Sequence, residues 1–249
     1  MKKALTTMTC IAMLGGSATL RAQDPVPIDV GAGVDLVSDY VWRGQLLTDD
    51  PVIQPYVEAG ISGLTLNIWG SIDTTDINET GNEDYRVQEV DYSLGYGYSP
   101  TEGLDLSLGA ILYDFPGTAF NATTELYLGA SLSSIPLAPS ATVYYDVDEV
   151  EGMYASFGVG HSFGLSEQLS LSLGLSLGWG DSAYNDAYFG VDEGALNDLA
   201  VSVSLDYAVS ETFSLSTYAG FSELVGSDIE DAVADSDILS AGVGFYFAF

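Results

Sequence analysis

The last eleven residues constrain this chain most. Leu239, Ala241, Val243, Phe245, Phe247 and Phe249 alternate with Ser240, Gly242, Gly244, Tyr246 and Ala248. Strict alternation is the period-two signature of a strand with one apolar face. An apolar face that ends the chain on three aromatics fits the closing strand of an outer-membrane barrel, with Phe249 at the lipid–water interface. A strand of a soluble β-sandwich alternates as well, but it buries its apolar face against a second sheet. The rest of the chain has to separate these two cases.

The same alternation recurs upstream. It predicts twelve strands, over residues 28–43, 52–61, 64–72, 87–98, 104–113, 122–132, 139–147, 153–163, 169–179, 199–209, 213–221 and 239–249. Most are about the 9–11 residues that cross a bilayer at a tilt. Pro55 lies within the second and cannot donate to a ladder, so that strand is the least regular of the set. Connections after even strands are short, as at Ser62-Gly63 and Ser210-Glu211-Thr212. Those after odd strands are mostly longer and acidic, as over residues 73–86, 180–198 and 222–237. An even strand count with short turns at one end and long loops at the other is the outer-membrane pattern. Tyr40, Trp42, Tyr96, Tyr98, Phe163, Trp179 and Phe249 fall near the ends of apolar faces, as in an aromatic girdle. The expected fold is therefore all-β, a transmembrane antiparallel up-and-down barrel of about twelve strands.

Residues 1–22 read as a signal peptide. Lys2 and Lys3 precede an apolar, small-residue run over 4–20, and Ala22 suits the last position before cleavage. The single cysteine, Cys10, lies in that leader, so residues 23–249, the expected barrel domain, contain no disulfide. Lys2, Lys3 and Arg21 leave with the leader. Of five basic residues only Arg43 and Arg86 remain against 36 carboxylates, a formal charge of −34. Such a balance excludes nucleic acid as a partner and favours cations. No stretch reaches the roughly 18 apolar residues of a transmembrane helix.

Ser38-Asp39-Tyr40-Val41-Trp42-Arg43-Gly44 closes the predicted first strand. This run resembles the Ser-Asp-Tyr-aromatic-Arg-Gly signature near the start of TorF-type porins, a family of bacterial outer-membrane proteins. The resemblance implies a Gram-negative cell outer-membrane barrel with a pore role, and it brings no catalytic residues. The scarcity of basic residues departs from a typical porin and speaks against anion selectivity or direct binding of lipopolysaccharide.

With the apolar faces outward, the inward faces carry Asp35, Asp39, Glu58, Glu89, Asp91, Asp105, Glu125, Asp146 and Asp206, with Arg43 as the inward base. These are the candidate pore-lining residues. A water-filled channel lined by one sign of charge concentrates counter-ions. The blander reading is that the carboxylates merely solvate the lumen of a salt-adapted protein. Ser170, Ser172, Gly174, Ser176, Ser202, Ser204 and their neighbours leave room along one wall, whereas inward Tyr56, Trp69, Tyr113, Tyr127, Tyr144, Tyr218 and Tyr246 are expected to fill the lumen and bond to carboxylates. Eight-stranded barrels are filled and those of 16–18 strands are open, so twelve implies a narrow pore.

Acidic loops over 76–84, 181–193 and 228–237 could collect Ca²⁺ or Mg²⁺, but none has the ordered spacing of a calcium loop. No metal site or cofactor is assigned. A lipid-facing hydrolase needs a nucleophile within hydrogen-bond reach of a base. The sole histidine, His161, lies on an apolar face between Val159 and Phe163, so no enzyme is expected. The expected function is passive diffusion of small solutes, with a preference for cations. The alternative is a closed structural or adhesive barrel with acidic, divalent-cation-binding loops. Expected partners are outer-membrane lipids, small cations or small polar solutes, further copies of the chain, and the barrel-assembly machinery through the strand ending in Phe249. Arg43 shares strand parity with Asp35 and Asp39, which predicts a pairing with Asp39, or with Glu89 and Asp91 across a narrow lumen.

Overall fold

The computed structural model describes residues 28–75, 86–116 and 118–249. In chain order the strands are β1 (Asp29–Val37), β2 (Tyr40–Trp42), β3 (Gln45–Thr48), β4 (Val52–Ile61), β5 (Leu64–Asp73), β6 (Arg86–Thr101), β7 (Leu104–Asp114), β8 (Thr123–Ser131), β9 (Ser140–Asp146), β10 (Met153–Gly164), β11 (Leu169–Gly180), β12 (Ala195–Ala208), β13 (Phe213–Leu224) and β14 (Asp237–Ala248). Two helices, α1 (Ser182–Phe189) and α2 (Ser227–Glu230), lie in the loops before β12 and β14. Among the described residues, β1 and β4 to β14 form one closed antiparallel barrel of twelve strands, and β2 pairs only with β3. The proposed signal peptide and the acidic loop over 76–84 lie outside the described residues.

Closure follows from the pattern at the C-terminus. β14 pairs with β1 from Gly31↔Ala248 to Val37↔Gly242. The Phe249 amide continues the ladder by donating to the Val30 carbonyl at 2.9 Å. Joining the first strand to the last leaves no wall strand with an unpaired edge, the requirement for a sheet that meets lipid. Leu94, Leu108, Leu126, Leu128, Phe157, Leu173 and Leu239 are all exposed on the outer face. Their neighbours in sequence turn inward, as the period of two demands.

Pro55 is accommodated rather than disruptive. The β4–β5 ladder runs from Ile53↔Ile72 to Tyr56↔Trp69 and skips the two residues between on each side, with no shift of register. At the short-turn end, Ile61↔Leu64 closes on Ser62 and Gly63, which have φ of 51° and 86°. Two successive positive φ values make the primed two-residue turn that matches strand twist.

The predicted first strand is the main departure. The wall strand stops at Val37, opposite Val52 of β4, and residues 38–51 leave the wall. They form the β2–β3 hairpin, whose turn is Arg43 and Gly44 with φ of 47° and 80°. Tyr40 and Trp42 therefore do not belong to an outer aromatic girdle. Tyr40 packs in the lumen with Val37 and Val52, and its ring lies 5.5 Å from that of Trp69.

The long loops also differ from freely solvated acidic segments. Asp181 caps α1 by accepting the Tyr184 amide at 2.9 Å, and Gly190 ends the helix in the left-handed conformation. Asn185 and Asn197 are fully buried and bond to each other at 2.8 Å, pinning the loop to the barrel. The apolar cluster of Tyr154, Tyr184, Phe189, Leu224 and Ile229 thus sits at the long-loop end. Ala187 and Ala232 stay exposed there, and Ser134 is exposed in the turn between β8 and β9 at the other end. On intact cells, Ala187→Cys and Ala232→Cys are expected to react with an impermeant maleimide, and Ser134→Cys is not. Reaction at Ser134→Cys alone would invert this orientation.

Candidate functional site

The site is built around the hairpin turn. Gly44 comes so close to the wall that a Cβ there would lie 2.6 Å from Leu224 Cδ2 and 2.7 Å from Asp198 Cβ. With glycine at this point, the turn can press against β12 and β13 and direct Arg43 across the lumen. The Arg43 guanidinium meets Glu125 on β8, with Nη1 donating to Oε1 at 2.8 Å and Nη2 to Oε2 at 2.7 Å. In the barrel order β8 lies five strands from β1 on one side and seven on the other, so it stands almost opposite the hairpin's root. The hairpin is a crossbar, attached covalently at β1 and β4 and by an ion pair at β8.

Both charges are shielded, with side-chain exposures of 9% for Arg43 and 4% for Glu125. Tyr113 donates its hydroxyl to Glu125 Oε2 at 2.8 Å and helps to fix the carboxylate plane. Aromatic rings surround the guanidinium. Its carbon lies 4.3 Å from the ring centre of Trp42, 4.5 Å from Tyr144, 4.3 Å from Tyr154 and 5.7 Å from Tyr184. All are within the range of cation–π attraction. Burial works against the Arg43 charge, but Glu125 outweighs it and holds the guanidinium well above its ordinary pKa. Burial also pushes the Tyr184 and Tyr188 phenols above theirs.

The other sequence-predicted residues separate into groups. Glu89 and Asp91 share the inner face of β6, opposite Ser71 and Trp69. Asp146 Oδ2 accepts the Thr123 hydroxyl at 2.6 Å, while Oδ1 accepts the amides of Asp148 and Val150 at 2.9 and 3.1 Å. Asp146 therefore holds its own loop. Asp39 lies in the bend after β1, not on the wall, and accepts the Ser38 hydroxyl at 2.5 Å. The expected Arg43–Asp39 pairing fails because the chain turns inward at Val37 and the strand parity ends there. Glu125, not Glu89 or Asp91, is the residue opposite.

Asp35 faces Gly244 across the β1–β14 ladder and Gln54 across the β1–β4 ladder. Toward the short turns the lumen is differently lined. Glu58 accepts the Tyr246 hydroxyl at 2.8 Å, and the Tyr246 ring stacks on Tyr56 with centres 6.3 Å apart. Asp105 accepts the hydroxyls of Ser99 and Ser133 at 2.6 and 2.9 Å, and Asp206 accepts that of Ser204 at 3.1 Å. Small residues of β11 to β13, such as Ser170, Ser204 and Ser216, share this half.

Sequence reasoning missed Asp198, Asn185, Asn197 and the tyrosines of α1. Asp198 accepts the Tyr154 hydroxyl at 2.8 Å, behind the aromatic cage. A register shift between Leu177 and Trp179 lets consecutive Asn197 and Asp198 both turn inward, which simple alternation forbids. The helix had a readable signal in Asp181 and Gly190, a cap at each end.

A closed barrel with polar residues inside and apolar residues outside defines a fold of the outer-membrane channel type. An outer-membrane channel of Pseudomonas putida F1 shares it with a TM-score of 0.55 at 11% identity, over 91% of this chain and 97% of the other. The KdgM porin, solved in complex with disordered oligogalacturonate, gives 0.55 at 10% identity over 89% and 99%. The NanC porin gives 0.52 at 11% identity over the same shares. At these identities the likeness is one of fold. No curated protein matches the chain. The chain belongs to the bacterial family of unknown function called Gcw_chp, whose model matches residues 21–181.

Proposed function

We propose that this protein is a porin-like channel of the outer membrane that passes small solutes by diffusion and prefers cations. The observation that carries this reading is the placement of charge. Glu58, Asp105 and Asp206 lie on the short-turn halves of β4, β7 and β12, and Asp35 stands opposite Gly244, whereas Arg43 is committed to Glu125. A one-signed lining with low-dielectric walls favours counter-ions. The crossbar and α1 narrow the path at the long-loop end and set its conductance. The Ser38–Gly44 signature supports grouping the chain with TorF-type porins, and residues 1–22 are its export signal. Phe249, in register with β1, is the contact for the assembly machinery.

Purified protein in a planar bilayer under a salt gradient is expected to give a cation-selective reversal potential that weakens as salt rises, because surface fields decay over about 8 Å at physiological ionic strength. An anion-selective potential at low salt would overturn the proposal. One observation favours the second reading, a closed structural or adhesive barrel. Tyr154, Tyr184, Leu224 and Ile229 pack together at the mouth with almost no exposure. A complete lack of conductance in folded, inserted protein would select that reading.

A further inference from the structure

We infer that the cage around Arg43 is a binding site for small guanidinium-type organic cations, which the chain fills with its own side chain. The site consists of two separable parts. Tyr144 lies on β9, Tyr154 on β10, Tyr184 on α1 and Glu125 on β8, so these walls belong to the barrel and its pinned loop. Trp42 and Arg43 belong to the crossbar. If the hairpin withdraws, three of the four aromatic faces and the carboxylate stay behind.

What stays is complementary to one chemistry. Glu125 presents both oxygens to two nitrogens of one guanidinium, and Tyr113 orients that carboxylate. A planar fork donates two parallel hydrogen bonds to the two oxygens, which a quaternary ammonium, having no N–H, does not. Tyrosine faces on the remaining sides favour a weakly hydrated, delocalised cation over a strongly hydrated one. Ring contacts from Tyr144 to Tyr154 at 6.2 Å and from Tyr154 to Tyr184 at 5.3 Å hold these walls without help from the hairpin. The Tyr154–Asp198 bond fixes the middle ring further.

The occupant is the separable part. β2 and β3 pair only with each other, so side-chain contacts such as Arg43–Glu125 and Thr48–Gln88, and no ladder, hold the hairpin to the wall. Arg43 has a φ of 47°, a left-handed conformation that non-glycine residues adopt infrequently. A tethered side chain competes with a free ligand at an effective concentration of roughly millimolar order. In the wild-type protein a free cation must overcome that competitor. Without it the same cage binds at its intrinsic affinity.

The test is calorimetric titration of detergent-folded protein with methylguanidinium chloride, and with tetramethylammonium and sodium chlorides as comparisons. Arg43→Ala is expected to bind methylguanidinium about tenfold or more tightly than wild type does, and more tightly than either comparison ion. Adding Glu125→Gln is expected to abolish the gain. Equal affinity in wild type and Arg43→Ala, or no preference over sodium, overturns the inference. If Arg43→Ala does not fold, Arg43→Lys serves, since lysine keeps the charge and loses the fork. Methylguanidinium should then bind Arg43→Lys more tightly than wild type, and equal affinity would count against the cage. The titration needs no conduction, so its outcome is independent of the bilayer measurement.

Discussion

Arg43→Gln is expected to destabilise the folded barrel by about 3–5 kcal/mol, the usual cost of removing one partner from a buried ion pair. The cost arises on the other side of the pair. Glu125 stays where it is, 4% exposed, with Tyr113 as its remaining donor. Arg43→Gln/Glu125→Gln should recover most of the loss, because two neutral amides can bond to each other and no charge is left uncompensated. Urea unfolding of detergent-folded protein measures both variants against wild type. The same substitution frees the far end of the crossbar and leaves an extra negative charge in the lumen. In the bilayer, conductance and cation selectivity should therefore both rise. A well-folded Arg43→Gln protein with wild-type stability, conductance and reversal potential would remove Arg43 from the constriction.

The barrel was legible because its physics is periodic. A wall that separates lipid from water must alternate along each strand, and β4 and β7 begin at the residues where alternation begins, Val52 and Leu104. The crossbar was not legible by that rule, because Tyr40 and Trp42 keep the parity of the apolar face of β1 after the chain has left the wall. A different signal lay in the same residues. An Arg43-Gly44 pair between extended residues is a candidate two-residue hairpin turn. Reading it would have moved Tyr40 and Trp42 from the lipid face to the lumen and ended the parity that linked Arg43 to Asp39.

The candidate site was half visible. Arg43 and Glu125 were both placed inside the barrel by parity alone, but parity gives a face and not a height or an angle around the wall. Their contact depends on how far the hairpin reaches, which is set by the close approach of Gly44 to Leu224 and Asp198. Asp146 illustrates the opposite case. Its parity was right, yet its oxygens are taken by Thr123 and by its own loop amides, so it holds structure at the mouth instead of lining an open path.

Leu128→Arg is expected to destabilise the barrel by about 2–4 kcal/mol, the cost of a basic side chain at the lipid-facing midplane. Leu128 lies near the middle of β8, is 64% exposed, and is flanked across the ladders by Leu108 and Val143 on the same outer face. Nothing on that face can pair with the guanidinium. The matched control is Ser176→Arg on β11, which lies between Gly158 and Ala200 and faces the lumen where neighbouring side chains are small. It should change stability by less than about 1 kcal/mol, because water and nearby carboxylates can solvate the charge. It should also lower cation selectivity, since it adds a base to an acidic lining. Folding in lipid vesicles and reversal potentials measure the pair together. A tolerated Leu128→Arg beside a strongly destabilising Ser176→Arg would mean that the inner and outer faces had been exchanged.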